Sequence, residues 1–546
     1  MRLTSFLSIA LLVLSTSAEA QQRQRQRQRA ELILTGGKIF TSDFRRPYVQ
    51  AIAIRGDRVL AVGSNLEIRL LAGPDTREIP LAGRTVIPGL NDARVYVGES
   101  DVGEVLRFRR EDPSLRDVLD AVRDAARRLP EGAWIRGTLG SNALQDRGAT
   151  RAALDRVSSR NPVFLTALTG QGALLNSAAL TELGAADSIP DPMGGWFDRD
   201  STGRITGFAH GYAQYALERA LSSRRSDSAL VALYRAYADS AMRLGFTSLQ
   251  LVSKHQPTDV ALRALVASQS PIRWRLIRFP LSGAAGRITR EARIAAPPAA
   301  TMVTLSGTQW VLDGTLVERG ALLRAEYADR AGWFGRGYFS FDTIGTVLEE
   351  AFASRDPHLL RATGDSTLAL VLASMGDSAT FTRWRTKRLR LDDADGLLPD
   401  LIQLSKRVGV AVVQNPTRLT STDLARRRLP RHVTPSWQPL RTLVRQGIPL
   451  GFGSDGALAP FRHIAAAVAH PTTPAEALTL EQAIVAYTRG SAAVEGLDDR
   501  KGTLMTGMLA DLVVLSQDIF RVPAAELGKT EAVMVMVGGR VVYQKE

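Results

Sequence analysis

The chain has 546 residues, 45% hydrophobic and 23% charged, with a formal charge of +14, which fits a globular protein able to bury a large domain and a smaller one. Its positive charge is nearly all arginine and is spread out, without the clustered basic face and interleaved aromatics of a nucleic-acid binder. There is no Cys, which excludes disulfides, thiolate metal ligands, a Cys nucleophile and a lipoprotein anchor.

Residues Met1–Ala20 have the layout of a secretory signal peptide. Arg2 is the charged start, Phe6–Leu14 the apolar core and Ala18-Glu19-Ala20 the small-x-small cleavage site. The apolar run is short for a membrane span, and no later segment is long and apolar enough to cross. The expectation is an exported chain, periplasmic or extracellular, with no membrane span after cleavage. An uncleaved anchor is the rival. Gln21–Arg29 is a Gln-Arg repeat expected to form a disordered, solvated arm.

From Ala30 the pattern becomes a small β unit. Leu32–Leu34 and Lys38–Phe40 flank Gly36-Gly37, and Ala51–Ile54 and Val59–Val62 flank Gly56-Asp57, as in hairpins. The far end has the same texture in Ala510–Leu515, Val533–Val537 and Arg540–Tyr543. The two ends, 30–85 and 500–546, are therefore expected to pair into one β domain.

The middle, 86–499, alternates short apolar runs with helical periodicity, the mark of a parallel α/β sheet or barrel. Expected strands are Ala133–Gly137, Val163–Ala167, Thr247–Val252, Arg273–Arg278, Val303–Leu312, Leu368–Ala373, Arg388–Leu391, Val408–Val413 and Pro449–Gly453. Expected helices include Leu115–Leu129, Leu230–Leu244 and Leu480–Val494. Residues 107–221 exceed what one barrel unit needs.

Several short motifs stand at the ends of these strands. They are Pro88-Gly89-Leu90-Asn91-Asp92-Ala93-Arg94-Val95-Tyr96, Asp313-Gly314, Gly376-Asp377, Arg390-Leu391-Asp392-Asp393 and Gly453-Ser454-Asp455. With Asn176–Leu180 and Gly203–Gly207, they give the chain from about Ala30 onward a form that resembles the metallo-dependent amidohydrolase superfamily, in its amidohydrolase-3 (YtcJ-like) branch. The resemblance implies a (β/α)8 TIM-like barrel, a β-sandwich from both chain ends, and 107–221 as an insertion over the active site. It also implies zinc, hydrolysis of C–N (amide-type) bonds, and a site at the carboxyl ends of the strands. In such a site neutral imidazoles and carboxylates hold the metal, which activates water, and an Asp moves the proton.

Carried over position by position, the His-x-His pair falls on Arg94 and Tyr96 and the bridging Lys on Gln309. The next His falls on Ala373, before Gly376-Asp377, and the last His on Asp393. The final Asp is kept as Asp455. An insertion His near the substrate falls on Gln171. One of six metal-site positions survives inside motifs that are otherwise intact, and none of the six His residues stands in a metal-binding pair. No metal cofactor is expected; a carboxylate cluster of Asp313, Asp377, Asp393 and Asp455 for a hard cation is the alternative.

Arg94 invites two readings. It forms a salt bridge with Asp455 or Asp393 in place of the metal, or it grips an anionic ligand. Tyr96, Gln171, Gln309, Asp313 and Asp393 are the other candidate substrate-binding groups, and Asp455 the candidate catalytic base. Two functions follow: a pseudoenzyme that binds a small, anionic ligand, or a working amide-type hydrolase that uses Asp455 without a metal or with an unorthodox one. A partner-binding role is the third, and a homo-oligomer is compatible with all of them.

Overall fold

Eight parallel strands form the centre: β1 Leu90–Val95, β2 Phe246–Val252, β3 Arg273–Arg278, β4 Val303–Val311, β5 His358–Arg361, β6 Arg390–Asp392, β7 Ala411–Gln414 and β8 Leu450–Phe452. The structure, a computed structural model, describes residues 29–283, 286–287, 294–376, 378–420 and 422–545. The signal-like segment, residues 21–28 of the arm and Asp377 lie outside the described residues.

Strands β1, β2, β5 and β7 are buried along their whole length, because helices cover the outside of a parallel sheet. Between β8 and β1 the ring is drawn together by Asp455 N donating to Arg94 O at 3.1 Å and by Ser454 N donating to Asp92 Oδ1 at 3.1 Å. Gly453 permits that approach: a Cβ there would stand 2.9 Å from the Cβ of Arg94. The helices follow local signals. Leu115–Arg128 starts at a Ser114/Asp117 capping box and turns Val118, Val122 and Ala125 inward.

Both chain ends meet in one six-stranded sheet. Lys38–Phe40 and Thr85–Pro88 pair in parallel, and Thr85–Pro88 pairs antiparallel with Leu512–Leu515. Ala532–Val537 and Arg540–Gln544 complete that side. A second sheet of four strands comes from residues 32–80 alone. The apolar faces of both sheets contribute to one cluster, with Leu34, Ile52 and Ile54 from the four-stranded sheet and Val86, Leu512 and Met536 from the other.

Between β1 and β2 the chain builds a further six-stranded sheet over residues 104–211. It carries its own apolar cluster around Val118, Leu139, Leu154 and Leu165.

Two expectations are corrected. Leu368–Ala373 is not a strand but lies in the helix Asp365–Ser374. The fifth barrel strand is His358–Arg361, four residues that the apolar periodicity had passed over. The expected helix Leu480–Val494 is broken at Ala486–Gly490, where the turn widens to π geometry between two helical pieces.

Candidate functional site

The carboxyl ends of β1, β5, β6 and β8 converge on one cluster of charges. Arg94, the penultimate residue of β1, is completely buried. Its Nε donates to Asp455 Oδ1 at 2.7 Å, and its Nη2 reaches Asp455 Oδ1 at 2.6 Å and Asp393 Oδ1. Arg361, at the end of β5, donates from Nε to Asp393 Oδ2 at 2.5 Å. Arg418, in the loop after β7, places Nη2 at 2.7 Å from Asp393 Oδ2 and 3.0 Å from Asp455 Oδ2. Asn415 Nδ2 donates to Asp455 Oδ2 at 3.0 Å. Two carboxylates thus hold three guanidiniums in a closed lattice.

Both carboxylates sit on unusual backbone. Asp393 has φ +55° and Asp455 φ +60°, a left-handed conformation that Asp tolerates better than most residues. It turns each side chain back over the strand ends. Burial works to raise the Asp393 carboxyl, but Arg418, Arg94 and Arg361 outweigh it and hold it well below the usual range. The same contest leaves Asp455 lowered, with Arg94 the chief opposing charge. Asp455 is the more accessible of the two, with 26% of its side chain exposed against none for Asp393.

Below the lattice a polar column continues into the barrel. Tyr96 Oη donates to Gln309 Oε1 at 2.9 Å, and Gln309 Nε2 donates to Asp392 Oδ2 at 2.6 Å. Asp392 is held at 2.7 Å by Arg390 Nε, and Arg390 Nη1 donates to Gln250 Oε1 at 2.9 Å. Lys501 and Glu495 pair at 2.7 Å, and Glu495 receives the Asn91 amide at 3.3 Å. Burial raises the Tyr96 phenol, so it acts as a donor and not as a phenolate.

The expected residues divide accordingly. Arg94, Tyr96, Gln309, Asp393 and Asp455 come together, with the Arg94 guanidinium fully buried and engaged by two carboxylates through Nε and Nη2 while its Nη1 makes no hydrogen bond. Asp313 stands apart from them: it accepts from the backbone of Leu322, Thr363 and Gly364 and from Thr367 Oγ1, so it fastens a loop. Ala373 is corrected: it lies inside a helix. The residue at the end of β5 is Arg361, and Gly364-Asp365 follows it at the spacing of the Gly-Asp motif. The sequence carried that signal, but Gly376-Asp377 took the assignment because Leu368–Ala373 was read as a strand. Arg390 and Arg418 were missed as site residues: Arg390 opens the Arg390-Leu391-Asp392-Asp393 motif but was not assigned a role, and nothing in the local pattern marks Arg418.

A hairpin tip of the inserted sheet, residues 168–171, plugs the barrel mouth. Thr169 donates to Glu318 from its backbone N at 2.7 Å and from Oγ1 at 2.5 Å. Gln171 Oε1 accepts from Tyr215 at 2.6 Å and from Tyr338 at 3.3 Å. One side of the plug borders a cavity of about 170 Å³ whose wall includes Thr315, Thr417, Asp395, Arg418, Trp437 and Gln438. There Arg418 Nη1 is buried and makes no hydrogen bond; Asp395 Oδ2 lies 3.8 Å away. Burial, with help from the charge on Asp393, pushes the Asp395 carboxyl up to about 7 against the pull of Arg418.

Residues 77–543 match the model of a family described as the amidohydrolase family. The chain is 28% identical to "Protein LONG AFTER FAR-RED 3" of Arabidopsis thaliana, over 94% of this chain and 92% of that one. It is 24% identical to the N-substituted formamide deformylase of Arthrobacter pascens, over 94% and 98%. An uncharacterized metal-dependent hydrolase from Pyrococcus horikoshii superposes with a TM-score of 0.67 at 20% identity, covering 90% of this chain and 99% of that one.

Proposed function

The chain belongs to the amidohydrolase family, and from that premise we propose that it is an exported pseudoenzyme that binds a small anionic ligand at the mouth of its barrel. The observation that carries this reading is the lattice of Arg94, Arg361 and Arg418 on Asp393 and Asp455.

The residues present do not fit the zinc that the family implies. Guanidiniums occupy two of the ligand positions, at Arg94 and Arg361. The carboxylate oxygens nearby already accept from guanidinium N–H groups. A divalent cation there would meet fixed positive charge and no neutral imidazole. The mechanism is therefore one of binding. Three guanidiniums over two carboxylates leave one positive charge in excess whenever Asp395 is protonated. Arg418 lines the cavity and its buried Nη1 has no hydrogen-bond partner, so a carboxylate seated against it would accept from that donor, while Trp437 and Leu316 give the ligand an apolar surface. Asp395 losing its proton above about pH 7 places a second negative charge beside the ligand, so affinity should fall as pH rises.

Calorimetric titration of the mature protein with acetate, propionate and benzoate tests this. Binding that weakens by about tenfold or more in Arg418→Gln is the expected result. No binding by any of the three, or binding indifferent to Arg418→Gln, would count against it.

A second reading is favoured by the partial exposure of Asp455: an amide-type hydrolase with Asp455 as general base, without a metal or with an unorthodox one. The lowered Asp455 carboxyl is a weak base, which disfavours it. Turnover of an N-substituted formamide that disappears in Asp455→Asn would establish it in place of the pseudoenzyme.

A further inference from the structure

On the other side of the hairpin tip a separate cavity of about 170 Å³ opens between the loop after β2 and the inserted sheet. Its charged wall is Glu99, Arg136, Glu218 and Lys254, with His255 beside them and Phe164 and Leu221 as an apolar face. Lys254 and Glu218 are 9% and 8% exposed. Lys254 Nζ stands 3.1 Å from Glu218 Oε2 and 5.3 and 5.4 Å from the ring centres of Tyr96 and Tyr215. The rings fix the direction of the ammonium, so little side-chain freedom remains to be lost on binding.

His255 is the unexplained group. It is 2% exposed, and neither ring nitrogen has a hydrogen-bond partner. The nearest acid, Glu99 Oε1, is 3.8 Å from Nε2. Burial, then the charges of Lys254, Arg219 and Arg225, keep this imidazole neutral, with one N–H donor and one acceptor. Glu218 Oε2, on the same wall, likewise has no hydrogen-bond partner, and buried polar atoms left unpartnered along one cavity are the mark of a site completed by something else.

The four charges lining this cavity cancel, two cations against two carboxylates. A bare anion would meet Glu218, and a bare cation would meet Lys254. The complementary ligand carries both signs and no net charge. We propose that the cavity binds a free α-amino acid. Its carboxylate accepts from Lys254 Nζ and the N–H of His255, its ammonium donates to Glu218, and its side chain lies toward Phe164 and Leu221. This site is independent of the Arg418 cavity and of the reading of the lattice.

The test is calorimetric titration of the mature protein with glycine, alanine, leucine and phenylalanine, and with acetate, alanine methyl ester and N-acetylalanine as single-charge or neutralised controls. The expected result is saturable binding of at least one amino acid. The ester and the N-acetyl form of the same residue should bind about tenfold more weakly or not at all, and Lys254→Met or Glu218→Gln should reduce binding by a similar factor. His255→Phe, which keeps the lysine–glutamate pair, guards against a variant that merely misfolds, and it should weaken binding at an unchanged melting temperature. Arg418→Gln should leave amino-acid binding intact and affect acetate only. No amino-acid binding, equal binding of acetate and alanine once Arg418→Gln has removed the other acetate site, or binding insensitive to all three cavity variants would overturn the proposal.

Discussion

Asp393 is the carboxylate on which all three guanidiniums of the lattice meet. It accepts from Arg94, Arg361 and Arg418 while fully buried and while its backbone is in the left-handed region. Removing its charge leaves guanidiniums in the interior without compensation, a change of about 3–5 kcal/mol for a broken buried pair. Asp393→Asn should lower the unfolding free energy by that order in denaturant titrations. A loss under about 1 kcal/mol would mean that solvent reaches the lattice. Because the two groups share one contact, Arg94→Met combined with Asp393→Asn should destabilise by less than the sum of the single changes.

Asp92 adds a pH dependence of known sign. Its Oδ1 accepts from the backbone of Arg94 and Ser454 at 3.1 Å, its Oδ2 has no partner, and burial pushes the carboxyl up to about 7. The unfolded carboxyl titrates near about 4. Between those values the folded state holds a proton that the unfolded chain releases. The contribution is full below about pH 4 and is lost as pH rises through about 7. Asp393 runs the other way, its stabilisation present above about pH 4 and lost in acid. Midpoints of denaturation should therefore be higher near pH 5.5 than near pH 8. Asp92→Asn should reduce that difference, and an unchanged difference would exclude Asp92 as its source.

At the scale of elements, legibility depended on how long and how one-sided each apolar run was. β3 and the strand Val163–Ala167 were found to the residue, because each is a short apolar or alternating run between breakers. β5 was missed for a physical reason: His358-Leu359-Leu360-Arg361 has only two apolar residues and ends on a guanidinium that the fold neutralises from β6. The neighbouring Leu368–Ala373 run looks like a buried strand in period but packs as a helix on both sides. That exchange moved one site position from Arg361 to Ala373. Arg418 could not be read at all, since only the loop after β7 brings it to Asp393. The hairpin tip at 168–171 was legible only as Gln171. Its attachment at Glu318 lies 149 residues on from Thr169. Glu318→Ala should raise amide hydrogen exchange across 168–172 while β1–β8 stay protected. Equal exchange in variant and parent would mean that Glu318 does not hold the plug, which also has Gln171 on Tyr215 and the backbone of Gly170 and Gly172 on Gln214.

At the scale of the whole molecule, the two chain ends lock the barrel from one side. Arg273 at the start of β3 holds Asp511 at 2.8 Å, and Val535 and Val537 of the penultimate strand pack into the main core. Deleting residues 532–546 should therefore cost the barrel its cooperative unfolding and not merely trim a surface. The salt-bridged lattice ties the carboxyl ends of β1, β5, β6 and β8 to one another.

The measurement that bears most directly on this account is the metal content of the mature protein after expression with zinc supplied and removal of loosely held ions, read by plasma emission spectrometry on folded protein. The lattice predicts far less than one equivalent of any transition metal per chain, with the melting temperature unmoved by a chelator. About one equivalent, retained by the parent and lost in Asp455→Ala, would contradict it and restore hydrolysis as the function to test.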